Sequence, residues 1–382
     1  AGGNQIFTVN NDIDALGDLY LQITTSGVTS SSQVTLTAFQ LLTCIKRIEF
    51  MVGTQVWQTL EQTDISALNM TEMSEDAFEA FFLAMSGGFS STGKRQTVSV
   101  TNGTRQDAKV STQFSNDVAG VIRIPALSRN VGPKLAKFTD ISENSYLLAG
   151  APHQAVKIRV YMASALPTNI NNLVLKLYGQ CIVMCNDERE QIKAMPSGLP
   201  KRLKMTQNMS QTFAASGKYA NLNVAKTMSG LAAGGVVSVA CKLDLDHFSL
   251  YTSHIILVVS TTGTNIVNSS IKDVELKLNS SSFSGILEGP LLAGSAADSL
   301  GLYSNSVILG SANYANNYYV FPLASQAYGG SSVPLNRFDN IRMEVNVVCN
   351  GVKDTNCTGN IIISATCVGE TTALYKGGAA SL

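Results

Sequence analysis

The chain has 382 residues, 27 of them basic and 27 acidic, a formal net charge of zero and 45% hydrophobic residues. Charged residues make up 14%, against about 25% in an ordinary globular protein. This excludes a strong basic field for nucleic acid and an acidic, hydrophobe-poor disordered chain, and zero net charge favours association, which points to a folded protein whose surface meets other protein.

The length fits one large domain or two of about 190 residues. No apolar run reaches the roughly 18–20 residues that span a bilayer. The longest compact one, residues 255–259, is strand-sized. The start, Ala1-Gly2-Gly3-Asn4-Gln5, has neither the basic nor the apolar segment of a secretory leader.

Taken in chain order, period-2 alternation dominates. In residues 44–52, Ile48, Phe50 and Val52 face one way, and Arg47 and Glu49 the other. One helix is predicted over residues 74–85, with Ser74 as N-cap, an apolar stripe through Phe78, Phe81, Phe82 and Met85, and Gly87-Gly88 after it. In residues 156–162, Val156, Ile158 and Val160 alternate with Lys157, Arg159 and Tyr161. A strand over 173–184 follows, with Cys181 and Cys185 read as buried free thiols. In residues 272–278, Val274, Leu276 and Leu278 alternate with charges. In residues 341–347, Ile341, Met343, Val345 and Val347 do the same. One dry face and one wet face belong to antiparallel sheets. The stretches 280–284 and 329–332 read as Gly- and Ser-rich loops. Regular alternation of strand and helix is missing, which excludes a doubly wound sheet or a TIM barrel.

The chain repeats itself. Residues 45–52 and 271–278 both read I-K-x-(I/V)-E-(F/L)-x-(V/L), and each is followed by a turn, Gly53-Thr54 and Asn279-Ser280. A second alternating strand comes later in each half. The same order twice predicts two tandem all-β modules, each an eight-stranded sandwich of the jelly-roll kind with short helices in the loops. The charged cluster Asn186-Asp187-Glu188-Arg189-Glu190 marks the join, giving domains over 1–190 and 191–382.

Chemistry is sparse. Three His residues (His153, His247, His254) have no H-E-x-x-H or H-x-H spacing, and no C-x-x-C pair or G-x-S-x-G elbow occurs. Seven Cys, an odd number, do not frame a secreted disulfide fold; Cys349 and Cys357 flank a loop that a disulfide could close. Residues 88–94 read G-x-x-x-x-G-K, but Arg95 stands where a P-loop needs a hydroxyl for magnesium. Asp244 and Asp246 offer a weak calcium pair. Lys201, Arg202 and Lys204 form the tightest basic cluster, read as a solvated surface. Six N-x-S/T sequons begin at Asn69, Asn102, Asn208, Asn268, Asn279 and Asn356.

Four segments carry a family resemblance: Gly17-Asp18-Leu19-Tyr20-Leu21-Gln22-Ile23; residues 45–55 with Glu49 and Gly53; Asp187-Glu188-Arg189; and Asn336-Arg337-Phe338-Asp339-Asn340, where relatives have Ser in place of Asn336. In this order the chain resembles the double jelly-roll major capsid proteins of icosahedral double-stranded DNA viruses, of the nucleocytoplasmic large DNA virus, virophage and Polinton-like type. It departs in its shorter length and in Pro334-Leu335. The resemblance implies a structural protein with no cofactor, metal or catalytic residue. It implies a homotrimer forming a pseudo-hexagonal capsomer, then a capsid lattice made inside the host cell. Minor capsid and penton proteins and internal membrane-associated proteins are the implied partners, and sequence-specific nucleic-acid binding is not. Gly17, Asp18, Tyr20, Glu49, Gly53, Asp187, Glu188, Arg189, Arg337, Asp339 and Asn340 become structural motif residues. A two-domain receptor- or glycan-binding virion protein is the alternative, and a cupin-type enzyme lacks its metal triad.

Overall fold

The structure, a computed structural model, describes residues 2–9, 13–26, 34–36, 40–73, 98–100, 110–112, 118–125, 146–148, 151–166, 172–194, 198–214, 235–263, 268–303, 317–325, 327, 332–352 and 359–382. The helix predicted over 74–85, the 88–95 loop and Cys357 lie outside the described residues, as does the side chain of Cys349. No described helix is long and apolar enough to cross a membrane.

The chain forms two compact units. The first comprises Ala1–Gly103, Lys109–Thr206 and Glu370–Leu382. Its strands are β1 (Asn4–Thr8), β2 (Ala15–Ser26), β3 (Val34–Leu36), β4 (Ile45–Val52), β5 (Gln55–Glu61), β6 (Val98–Val100), β7 (Val110–Thr112), β8 (Val118–Ile124), β9 (Tyr146–Leu147), β10 (Val156–Met162) and β11 (Asn172–Ile182). Helix α1 (Gln62–Glu72) follows β5, α2 (Asn186–Ala194) follows β11, and β12 (Leu199–Ala214) starts here. One sheet has the order β1-β10-β4-β5, another β11-β2-β8 with β9 beside β2, and a small one β3-β7-β6.

Alternation explains the core of this unit. Leu19, Leu21, Ile23, Ile122 and Ile124 from one sheet and Ile48, Phe50, Val52, Ile158 and Val160 from the other are all within 2% of fully buried. Leu19 and Ile124 line a common interior space with Ile48, Phe50, Leu60 and Ile158, so the two sheets face each other across it. Tyr146 sits in an aromatic cluster, its ring 5.6 Å from Phe50, 5.6 Å from Trp57 and 5.7 Å from Tyr375. Tyr375 belongs to Glu370–Leu382, so the chain's last segment returns to this unit.

The second unit spans Gln207–Gly369. It holds β13 (Gly235–Asp244), β14 (Tyr251–Gly263), β15 (Asn268–Leu278), β16 (Ser281–Glu288), β17 (Asn317–Pro322), β18 (Val333–Pro334), β19 (Ile341–Val352) and most of β20 (Gly359–Lys376), with α3 (Gly289–Ala293) and α4 (Ser295–Ser299) after β16. β21 (Ala379–Ser381) pairs with the far end of β20. The sheets run β13-β19-β15-β16 and β12-β20-β14-β17, with β18 beside β14. Both feed one core containing Leu257, Val274, Leu276, Met343, Val345 and Ile363.

The sequence repeat is a structural repeat. β4 and β15 carry it, and each stands third in its four-stranded sheet, flanked by β10 and β5 or by β19 and β16. β2 and β14 correspond in the other sheets, each pairing at its start with a two-residue strand, β9 or β18. Eight strands therefore recur in the same order. Each repeat closes a two-residue hairpin: Gly53 takes φ 61° in one, and Asn279 and Ser280 take 49° and 68° in the other. Asn tolerates that left-handed region better than most residues.

Two expectations need correction. The stretch 280–284 is not a loop beyond its first residue, because Ser281–Glu288 is strand β16. Cys181 and Cys185 are free but exposed, Cys181 near the end of β11 and Cys185 just beyond it. Helix α1 was missed by the periodicity: it is buried nearly all round, including polar Asp64, Ser66, Asn69, Thr71 and Glu72. Its start is fixed by a capping box, in which the Asp64 carboxylate accepts from the Glu61 N–H at 2.7 Å.

Burial raises the thiol of Cys44 to about 11 and that of Cys367 to about 12, the latter against an opposing hydrogen bond from Thr252. Because the thiolate is the reactive form, a maleimide or disulfide reagent at pH 8 should label Cys181 and Cys185 in the folded protein. Cys44, Cys241 and Cys367 should react only after denaturation. Fast labelling of Cys367 in the native state would contradict the described core.

Candidate functional site

The motif residues build junctions. Asp18 on β2 lies with Arg123 of β8, its carboxylate 3.5 Å from the guanidinium. Arg123 also reaches Glu72 at the end of α1, at 3.3 Å, and Glu72 accepts from the Lys204 ammonium of β12 at 2.7 Å. The Asn69 amide donates to the Arg123 carbonyl at 3.0 Å. The four charged side chains are at most 5% exposed and their charges cancel. Lys204 is thus a buried ion and not the solvated surface its basic neighbours suggested. Burial pulls its pKa below the ordinary lysine value, with Glu72 opposing and Arg123 reinforcing. Tyr20, opposite Arg123 in the β2–β8 register, has a phenol raised by burial and then by Asp18. Gly17 allows close approach of Gln180, whose side-chain oxygen would lie 2.8 Å from an added Cβ.

Glu49 was expected on a wet face and is instead 6% exposed. Arg47 at 3.0 Å, Arg159 at 3.4 Å and the Tyr161 hydroxyl at 3.2 Å satisfy it, and they cover it from the solvent side. Arg47 lies 4.3 Å above the Tyr161 ring. The second unit has a related lattice, in which Lys277 reaches Glu344 at 2.9 Å and Glu275 at 3.3 Å. Asp244 pairs with Arg342 at 3.1 Å, and Asp246 accepts from the Ile341 N–H at 2.6 Å, so the two aspartates serve different partners.

Asp187, Glu188 and Arg189 lie in the first turns of α2. Glu188 accepts from the Cys185 N–H at 3.2 Å and Arg189 reaches Asp14 at 2.7 Å. Asp14 also takes the Met184 N–H at 2.7 Å. The segment docks the helix against the start of β2, and Glu190 lies inside it. Arg337 ends a short 3₁₀ turn and is exposed. The N–H groups of Asp339 and Asn340 both donate to the Asn279 side chain, at 3.0 and 3.2 Å. The late motif therefore clips to the hairpin turn of the second repeat, a link not visible in either segment alone. Among the described residues, no group of three or more His, Cys, Asp or Glu side chains is placed to hold a metal. Trp57 is 5% exposed.

No family model matches the chain, and no curated protein matches it in sequence. Solved structures do. The structure of VP54 from the virus PBCV-1, fitted into a reconstruction of the virophage Sputnik, matches with TM-score 0.66 at 10% identity, covering 100% of this chain and 92% of that one. The quasi-atomic PBCV-1 virus capsid gives 0.65, with the same identity and coverage. The fold is a double jelly roll. The Faustovirus major capsid protein shares it, with TM-score 0.57 at 8% identity over 98% of this chain and 88% of that one. At these identities the double jelly roll is conserved as an arrangement of strands while most side chains differ. The motif residues accordingly earn their place here by the contacts above.

Proposed function

We propose that this chain is the major capsid protein of an icosahedral double-stranded DNA virus, a structural building block and not an enzyme. The observation that carries the proposal is the end-to-end likeness to the PBCV-1 capsid structure, with both jelly rolls present and 100% of the chain covered. In this reading three chains assemble into a pseudo-hexagonal capsomer, because two similar modules per chain give six similar corners per trimer. Capsomers then tile the shell of the virion, where minor capsid, penton and membrane-associated proteins are further partners. The near-neutral surface suits close packing of many identical copies. The glycan-binding alternative calls for a concave site with exposed aromatics, and the single Trp of the chain, Trp57, is 5% exposed.

Native mass spectrometry of the purified chain tests this. A particle of three times 40.6 kDa is expected. A monomer that persists at all concentrations would overturn the capsomer reading.

A further inference from the structure

The two repeats serve as controls for one another at their sheet edges. In the first unit the edges are β1 and β5, and in the second the equivalent edges are β13 and β16. β5 runs into α1, which packs against it. β13 displays the charged side chains Lys242 and Asp244, both exposed. Both devices blunt a sheet edge against unwanted pairing. Among the described residues, β1 shows neither a packed helix nor a charge, and β16 shows no charge before Glu288. β1 reads Asn4-Gln5-Ile6-Phe7-Thr8, without charge or Pro, and four of its five residues are exposed, with Ile6 at 48%. β16 carries no charge before Glu288 and is exposed along nearly its whole length, with Ile286 at 67% and Phe283 at 47%. Gly285, at φ 67°, sits in a bulge that leaves Phe283 protruding.

The bare edges are opposite in kind. Ile6 and Thr8 pair with Arg159 and Lys157, and with Arg47 these cations outnumber Glu49, which Arg47 and Arg159 share, so the side behind β1 is net basic. Ile286 and Glu288 pair with Glu275 and Asp273 and Ser282 pairs with Lys277, so three carboxylates lie along β16 against Lys277 and Lys272, which bridge Glu275 and Asp273. A cyclic trimer is closed by a heterologous contact, which needs two different and complementary surfaces on each chain. These edges supply one of each.

We propose that the β1 edge of one copy lies against the β16 edge of the next copy, with Ile6 meeting Ile286 and Phe283. This assignment rests on the capsomer reading. The test compares Ile6→Lys and Ile286→Lys with wild type by native mass spectrometry and circular dichroism. Val183→Lys, at an exposed position outside both strands, serves as control. Both edge variants are expected to be folded monomers, the control a trimer, and the double variant Ile6→Lys/Ile286→Asp a trimer again. Trimeric edge variants would overturn the edge pairing and leave the capsomer reading standing, whereas a monomeric wild type would overturn both. If a lysine variant does not fold, hydrogen exchange of the wild type decides. Amides of residues 4–8 and 281–288 should be protected in the trimer relative to diluted monomer, and equal exchange would overturn the proposal.

Discussion

A Leu276→Asp chain is expected to fail to fold. Leu276 is fully buried on β15, opposite Met343 of β19, within the core of the second unit. Loss of a buried leucine costs about 2–5 kcal/mol. An unpaired buried carboxylate adds several kcal/mol more unless it takes up a proton. Together these approach the whole stability of a typical domain, about 5–15 kcal/mol. Soluble yield and circular dichroism give the readout. A neighbouring change on the wet face, Lys277→Ala, should cost no more than about 1 kcal/mol, because Lys277 pairs at the surface. A soluble Leu276→Asp trimer with wild-type melting would show that β15 faces the other way.

Glu72→Met should destabilise the first unit by about 3–5 kcal/mol, the usual cost of stranding a buried charge. Glu72 accepts from both Lys204 and Arg123. Without it, Asp18 is the one carboxylate among the described residues that faces both buried cations. The companion double variant Glu72→Met/Lys204→Met removes the stranded ammonium and leaves Arg123 with Asp18. It should therefore be more stable than the single variant, although it carries one more substitution. Urea denaturation of the two variants and wild type measures this coupling. A single-variant loss below 1 kcal/mol would mean that the four charges are hydrated and not enclosed.

The contrast between these predictions shows what was legible in the sequence. Leu276 could be placed inward from alternation alone, because a half-buried strand writes its facing into every second residue. The same holds for Val156, Ile158 and Val160 of β10. The repeat linking residues 45–52 to 271–278 was legible because equivalent strands in equivalent sheets impose the same pattern twice. The Lys204–Glu72–Arg123–Asp18 cluster was not. Its members come from β12, α1, β8 and β2, and nothing local distinguishes the buried Lys204 from Lys201-Arg202 beside it in sequence. Helix α1 was missed for a related reason: buried on all sides and holding polar groups in internal contacts, it has no apolar stripe to read. β16 was hidden by Ser and Gly, which read as a loop although the hairpin at Asn279-Ser280 makes them an edge strand. Asp18 and Arg189 were named through the family resemblance, but their partners, Arg123 and Asp14, were visible only in three dimensions.

The proposed function requires this double jelly roll to build a virus shell. Cryo-electron microscopy of particles assembled from the chain, or purified with it, tests that requirement most directly. A shell of pseudo-hexagonal capsomers is expected, each made of three copies with the two jelly rolls alternating around the ring. Particles in which this chain occupies only spikes or vertices, with another protein forming the shell, would contradict it.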